Sequence, residues 1–321
     1  MASELHVVIV SVDAMSTATP FDDVLDFMTR LERSWSRFIH DSDVSRLNGA
    51  GGHPRTVDPS TLALVTTMVE AWQLTDGRFD PSILPVLLEA GYQSSIDDPH
   101  QVTILPSGDF LVGGYDEPRG ATLGDIVIDA PTHTITLPAG LAIDPGGIGK
   151  GLAADLAVAQ LLADGAAGAL VSVGGDIVMG GTPPPGVGDA WTVAVEHPIT
   201  STDIVCTLAV NSGGVATSST RSRRWTQHGE QRHHVIDPAR AAQSTTDLAS
   251  VTVVAAAGWL AEVHATAALI AGSHGALRYL DQHELSGVIV HEDGHAIATS
   301  DLDLPCSVNE VDTKELERSP R

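Results

Sequence analysis

Residues Ile143 to Asp155 read IDPGGIGKGLAAD, and this run constrains the chain more than any other. A strand-like segment, Gly140 to Ile143, closes on an acid and a proline. Gly146, Gly147 and Gly149 follow, then Lys150, then an alanine-rich helical pattern. An extended segment, a glycine turn and a helix start present backbone N–H groups to a phosphate. The turn is neither a Walker A loop nor GxGxxG, and glycine turns before helices are common. Lys150 adds specificity, because the 17 Lys+Arg of the chain include just two lysines, Lys150 and Lys314.

The 321 residues allow one large domain with ample core, and the division expected is a single domain over 1–305 with a disordered tail at 306–321. A formal charge of −24 argues against nucleic acid or an anionic membrane as partner, since both need clustered cations. An acidic chain that binds a polyphosphate needs backbone amides, a metal ion or a few placed cations. Cys206 and Cys306 have no zinc or redox spacing. The opening MASELHVVIVSVD has no basic region and no long apolar run, so no membrane anchor is expected and the default compartment is the cytoplasm.

Periodicity predicts a strand at Leu5–Asp13 and amphipathic helices at Pro20–Phe38 and Pro59–Leu74, the latter N-capped by Asp58. The polar run HDSDVSRLNGAGGHP reads as a loop, and Ser82–Ala90 as a short helix. Ile126–Ile128 and Thr134–Leu137 alternate like a hairpin. Helices are expected at Leu152–Ala163, Trp259–Ile270 and His274–His283. Strands are expected at Ala169–Val173, Trp191–Glu196, Ile204–Val210, Ser250–Ala255 and Gly287–His291, with GGDI (Gly174–Ile177) breaking the first of these. Strands cluster after residue 100 with helices interspersed, which indicates an α+β fold with a mixed, largely antiparallel sheet.

Several constellations bear on chemistry. Glu262 and Thr266 stand four apart on a predicted helix, so both oxygens share a face and form a hard set suited to Mg²⁺. Spacing alone favours the plainer reading, a surface glutamate and a threonine bonded back to its own helix. His233 and His234 precede Asp237 in HHVIDP, where a histidine beside an acid can act as a base. TDGRFDP sets Asp76 and Asp80 about Arg78, which is also ordinary turn chemistry.

Taken in order, SDVSRLN, DGRFDPS, IDPGGIGKGLAAD, LVSVGGDIVMGG, W-x-VAVEHP, VATS, HHVIDP, LASVTVVA and A-E-x-x-A-T-A resemble the ApbE family of FAD:protein FMN transferases. The match spans most of residues 35–272. The resemblance implies an ApbE-like, T-fold-related architecture and an enzyme that binds FAD with Mg²⁺. Such an enzyme moves FMN onto a Thr or Ser hydroxyl of an acceptor flavoprotein and releases AMP. Some relatives hydrolyse FAD to FMN and AMP instead, and a diverged flavin-binding protein with little catalysis is the alternative from another class.

By matching position, the resemblance places Asp144, Lys150 and Ile236 at FAD. It assigns Arg78, Phe79 and Asp80 to a nucleotide-contact stretch, and Asn48 and His53 to the flavin. Metal ligands fall on the Gly147 carbonyl, Glu262 and Thr266, and His234 matches a proposed general base. This chain departs from the pattern in four places. His6-Val7-Val8 replaces Met-Gly-Thr, Glu262 replaces an Asp, Ser219 replaces the Gly of VATSG, and Ala239-Arg240 replaces Thr-Gly.

Overall fold

The computed structural model describes residues 3–11, 18–95, 98–106, 110, 120–200 and 202–302. The expected tail at 306–321 lies outside them. The helices are α1 (Ala18–Trp35), α2 (Asp43–Asn48), α3 (Pro59–Leu74), α4 (Leu84–Glu89), α5 (Gly149–Ala163) and α6 (Gly258–Gln282). The first eight strands are β1 (Leu5–Val10), β2 (Arg55–Thr56), β3 (Val127–Asp129), β4 (Thr134–Thr136), β5 (Gly168–Val173), β6 (Asp176–Gly181), β7 (Trp191–Glu196) and β8 (Ile204–Val210). The rest are β9 (Gly213–Ser219), β10 (Arg224–Gln227), β11 (Glu230–His233), β12 (Ile236–Asp237), β13 (Ala242–Gln243), β14 (Leu248–Ala255), β15 (Ser286–His291) and β16 (Ala296–Ala298).

The fold is α+β. Its central sheet runs β1-β5-β6-β9-β14-β15-β16, and every pairing among the described strands is antiparallel. Strand β14 has seven of its eight residues buried, because it sits mid-sheet with both faces covered. Helix α5 packs on β5 and β6, and α6 packs on β9, β14 and β15. The β7–β8 ribbon alternates buried and exposed residues. It turns Trp191, Val193 and Val195 into a cluster with Met179, Val215 and Val288 of the sheet.

Five local expectations change. SDVSRLN is a helix, not a loop: Ser42 caps α2 by accepting from the Ser45 N–H at 3.0 Å. Gly174-Gly175 does not end strand structure but turns β5 back into β6, with φ of 58° and 90° at the two glycines, the left-handed pair a tight hairpin needs. Residues before the glycine turn pair with no strand; the Asn48 amide grips Ile143 instead. Helix α1 stops at Trp35, three residues short of expectation, so Arg37 and Phe38 lie outside it. The two helices expected after residue 258 are the halves of α6, broken at Gly272, where φ is 68°.

Helices α5 and α6 meet at their N-termini. A Cβ on Gly151 would lie 2.5 Å from the carbonyl carbon and oxygen of Gly258, and one on Gly258 would lie 2.4 Å from Val178 Cγ2. With glycine at both places each helix caps the other. The Gly151 N–H donates to Glu262 Oε2 at 2.8 Å, and the N–H groups of Gly258 and Trp259 donate to Asp155 at 2.7 and 3.0 Å. Neither helix carries a side-chain cap of its own. The orphan amides of each N-terminus are met by the carboxylate of its neighbour, which also suits both helix dipoles.

Candidate active site

One cavity of about 270 Å³ opens where these N-termini meet. Arg78, Phe79, Asp80, Asp144, Gly147, Lys150, His234, Ile236, Glu262 and Thr266 all line it. These are ten of the twelve residues singled out from the sequence, and they come from four separate stretches. Asn48 and His53 are not in the lining. Asn48 is buried and donates to the Ile143 carbonyl at 2.9 Å while accepting from the Ile143 N–H at 2.8 Å, so it fixes the approach to the glycine turn. His53 is exposed beyond that turn.

The turn is built from within. Asp144 Oδ1 accepts the Gly146 N–H at 2.9 Å, and the Asp144 N–H donates to the Pro81 carbonyl at 2.8 Å. Gly147 takes φ 85°, and a Cβ there would come within 3.0 Å of the Phe79 ring. Phe79 therefore braces the turn from beneath, and glycine is required by both sterics and φ. Asp80 accepts from the Ser82 N–H and hydroxyl at 2.8 and 2.6 Å, which starts the short helical stretch leading into α4.

Lys150 lies in the first turn of α5, between two carboxylates. Its Nζ contacts Asp176 Oδ2 and stands 3.2 Å from Glu262 Oε1. Desolvation favours the neutral amine, but Asp176 and Glu262 outweigh it and hold the lysine above its ordinary range. Burial and the nearby Asp176 charge push Glu262 up to about 7 against the pull of Lys150 and the Gly151 N–H. Glu262 Oε1 is buried, and beyond its ion-pair contact with Lys150 it has no hydrogen-bond partner among the described residues.

The Thr266 hydroxyl donates to the Glu262 carbonyl at 3.2 Å, and it is 2.8 Å from Ser218 Oγ on β9. Both ordinary helix bonding and a cavity position thus hold for Thr266. An orphaned carboxylate oxygen, a hydroxyl and the Gly147 backbone are hard oxygen donors, and they fit a small divalent cation whose remaining ligands come from phosphate and water. No group of three or more His, Cys, Asp and Glu that could hold a metal ion occurs among the described residues.

His234 faces this arrangement from the β11–β12 connection. Burial first, then the charges of Arg223, His233 and Lys150, depress it to about 3. Its Nδ1 is buried without a hydrogen-bond partner among the described residues. It is a neutral imidazole with a free ring nitrogen, the state a proton acceptor needs.

Sequence patterns did not single out Arg37, Asp176 or Arg223. Arg37 is 4% exposed, with Nε 3.3 Å from Asp144 Oδ2, NH2 donating to the Tyr92 carbonyl at 3.2 Å, and its plane 4.1 Å from the Phe38 ring centre. Tyr92 in turn stacks on Trp225 with centres 5.4 Å apart. This wall joins residues far apart in sequence. Asp176 had a signal in GGDI, an acid placed next to a hairpin glycine pair.

The sequence model of the ApbE family matches residues 1–289. An FAD:protein FMN transferase of Treponema pallidum (strain Nichols) is 29% identical over 265 residues, 78% of this chain and 71% of that protein. One from Escherichia coli (strain K12) is 25% identical over 295 residues, 90% of this chain and 81% of its own length. Among solved structures, the ApbE protein of Thermotoga maritima superposes with a TM-score of 0.75 at 23% identity, covering 93% of this chain and 96% of that one. The apo flavinyl transferase ApbE of Pseudomonas stutzeri gives 0.73 at 22%, covering 93% and 95%. At these identities the structural likeness establishes the fold.

Proposed function

Because the chain belongs to the ApbE family, we propose that it is an FAD:protein FMN transferase, carrying FMN from FAD to a Thr or Ser hydroxyl of an acceptor flavoprotein and releasing AMP. One observation above all supports this reading. The glycine turn with Lys150, the Glu262–Thr266 face and the neutral His234 converge on one cavity from three directions.

The glycine turn and the N-terminus of α5 receive the pyrophosphate of FAD through the amides that Asp144 and Glu262 leave open, and the helix dipole favours negative charge there. Lys150 brings the cation, its position fixed by Asp176 and Glu262. Ile236 and Phe79 supply apolar contact beside the nucleotide. Glu262, Thr266 and the Gly147 carbonyl would hold Mg²⁺, which neutralises charge that grows on the phosphate oxygens during transfer. His234 accepts the proton of the attacking hydroxyl, a contribution of roughly 10²–10⁴-fold for a well-placed base. The acceptor oxygen bonds to the phosphorus of the FMN half, the bond from that phosphorus to the bridging oxygen breaks, and AMP departs with its electron pair.

The test is to incubate the protein with FAD, with and without Mg²⁺, and to measure AMP and FMN. Covalent flavin is then sought on an acceptor bearing a Ser/Thr flavinylation motif. AMP without covalent flavin would make the chain an FAD pyrophosphatase. No AMP under any metal condition would leave a flavin-binding protein.

A further inference from the structure

We propose that Arg223 is a catalytic residue of this site: the cation that takes the charge developing on the phosphate under attack. The inference rests on the reading of the cavity as a site of FAD cleavage.

The cations of the cavity are not equivalent. Lys150 is held by Asp176 and Glu262, and Arg37 by Asp144, the Tyr92 carbonyl and Thr103. Arg78 lies over the Tyr279 ring at 5.8 Å. Arg223 lines the same cavity, yet its guanidinium makes no hydrogen bond or ion pair among the described residues. Of the described cations that lack a carboxylate, Arg78 and Arg223 line the cavity, and Arg78 lies over an aromatic ring whereas Arg223 does not.

Its backbone is set for this position. The connection from β9 to β10 is tied down just ahead of it. The Thr220 N–H donates to the Ala249 carbonyl at 3.1 Å, its hydroxyl donates to the Leu248 carbonyl at 3.1 Å, and Arg221 pairs with Glu292. Arg223 then adopts φ 51°, a left-handed conformation uncommon for a residue with a long side chain. Strain of this kind gathers at ligand sites. Its charge also reaches His234, whose proton affinity it lowers. A guanidinium offers a planar fork that matches two phosphate oxygens, which an ammonium cannot do.

During transfer the hydroxyl proton passes to His234, the new P–O bond forms, the bond to the bridging oxygen breaks, and AMP leaves. Negative charge rises on the non-bridging and leaving oxygens, and Arg223 meets it with no internal partner to give up.

The experiment compares wild type, Arg223→Gln and Arg223→Lys in Mg²⁺-dependent AMP release from FAD and in FAD binding followed by flavin fluorescence. Arg223→Gln is expected to lower kcat by about 10²-fold or more while the Kd for FAD changes less than about tenfold, and Arg223→Lys to recover part of the rate. The acid limb of kcat/KM moves to higher pH in Arg223→Gln, because His234 loses a repelling charge. A kcat within about threefold of wild type with an unmoved acid limb would overturn the assignment, as would a loss confined to Kd. If wild type releases no AMP, the transferase reading fails on its own, and inorganic pyrophosphate becomes the probe. Binding about tenfold weaker in Arg223→Gln would then uphold the phosphate contact, and equal binding would end it.

Discussion

Asp155 and Glu262 exchange helix caps: the first, on α5, receives two N–H groups from the start of α6, and the second, on α6, receives one from the start of α5. The exchange fixes where Glu262 stands, so a stability device and a site residue are the same group. Asp155→Ala leaves buried N–H groups at Gly258 and Trp259 unmet. It is expected to cost about 1–3 kcal/mol in urea unfolding, with Asp155→Asn costing less because an amide oxygen still accepts. A change under about 0.3 kcal/mol in the alanine variant would remove the cap from the account.

The close approach of Gly151 and Gly258 permits that exchange. Gly151→Ala forces its Cβ into the Gly258 carbonyl and must push α6 off α5. A loss of about 1–3 kcal/mol is expected from overpacking alone. Because Glu262 moves with α6, Mg²⁺-dependent AMP release should fall as well, measured well below the melting temperature. A variant with wild-type stability and rate would show that the two helices separate without consequence.

Glu262 performs two tasks that an aspartate would have to divide. Its Oε2 caps Gly151 while Oε1 faces Lys150. The shorter side chain of Glu262→Asp should release the cap, at about 1–2 kcal/mol by chemical denaturation. AMP release should stay the same or rise, since a carboxylate still meets the cation. Complete inactivity of a folded Glu262→Asp protein would contradict the metal-ligand role.

On the proposed mechanism, His234 is the base whose protonation sets the acid limb of the reaction. Its depressed value means the imidazole stays neutral down to about pH 3, far below the 6.5 of an exposed histidine. It stays unprotonated throughout the range above that value, so kcat/KM should show no inflection near 6.5 from this group. The measurement is a kcat/KM profile from pH 4.5 (roughly) to 8, alongside His234→Gln as the control. A clear break near 6.5 that vanishes in the control would mean His234 titrates as if in water.

Much of this was legible along the chain, and the losses have physical causes. Pro59–Leu74 with its Asp58 cap, and strands β7 and β8, were readable because their periodicity and turn residues are local. Helix α2 was missed because its six residues are mostly polar and a glycine follows, although Ser42 held the capping signal. Strand β6 was missed because a glycine pair marks both the end of a strand and the turn of a hairpin. The glycine turn is legible because its pattern is local, whereas Glu262 and Thr266 share a face by spacing but owe their assignment to the resemblance. Arg37 was not legible, since its partners Asp144, Tyr92 and Thr103 are distant in sequence. The resemblance puts Asn48 near the flavin, and in the structure its amide holds the backbone of Ile143, a partner 95 residues away that local pattern does not reveal.

The pairing of Lys150 with Asp176 and Glu262 also decides how this protein responds to chemistry from outside. An amine reacts with acylating reagents only as the free base, and this one is enclosed and kept protonated by its two acids. With Lys314 the chain's one other lysine, mild amine coupling to a bead, dye or sensor surface leaves the cavity's own amine untouched. Labelling of Lys150 is expected to be slow while its ion pairs with Asp176 and Glu262 hold, so faster modification under denaturant would report their loosening.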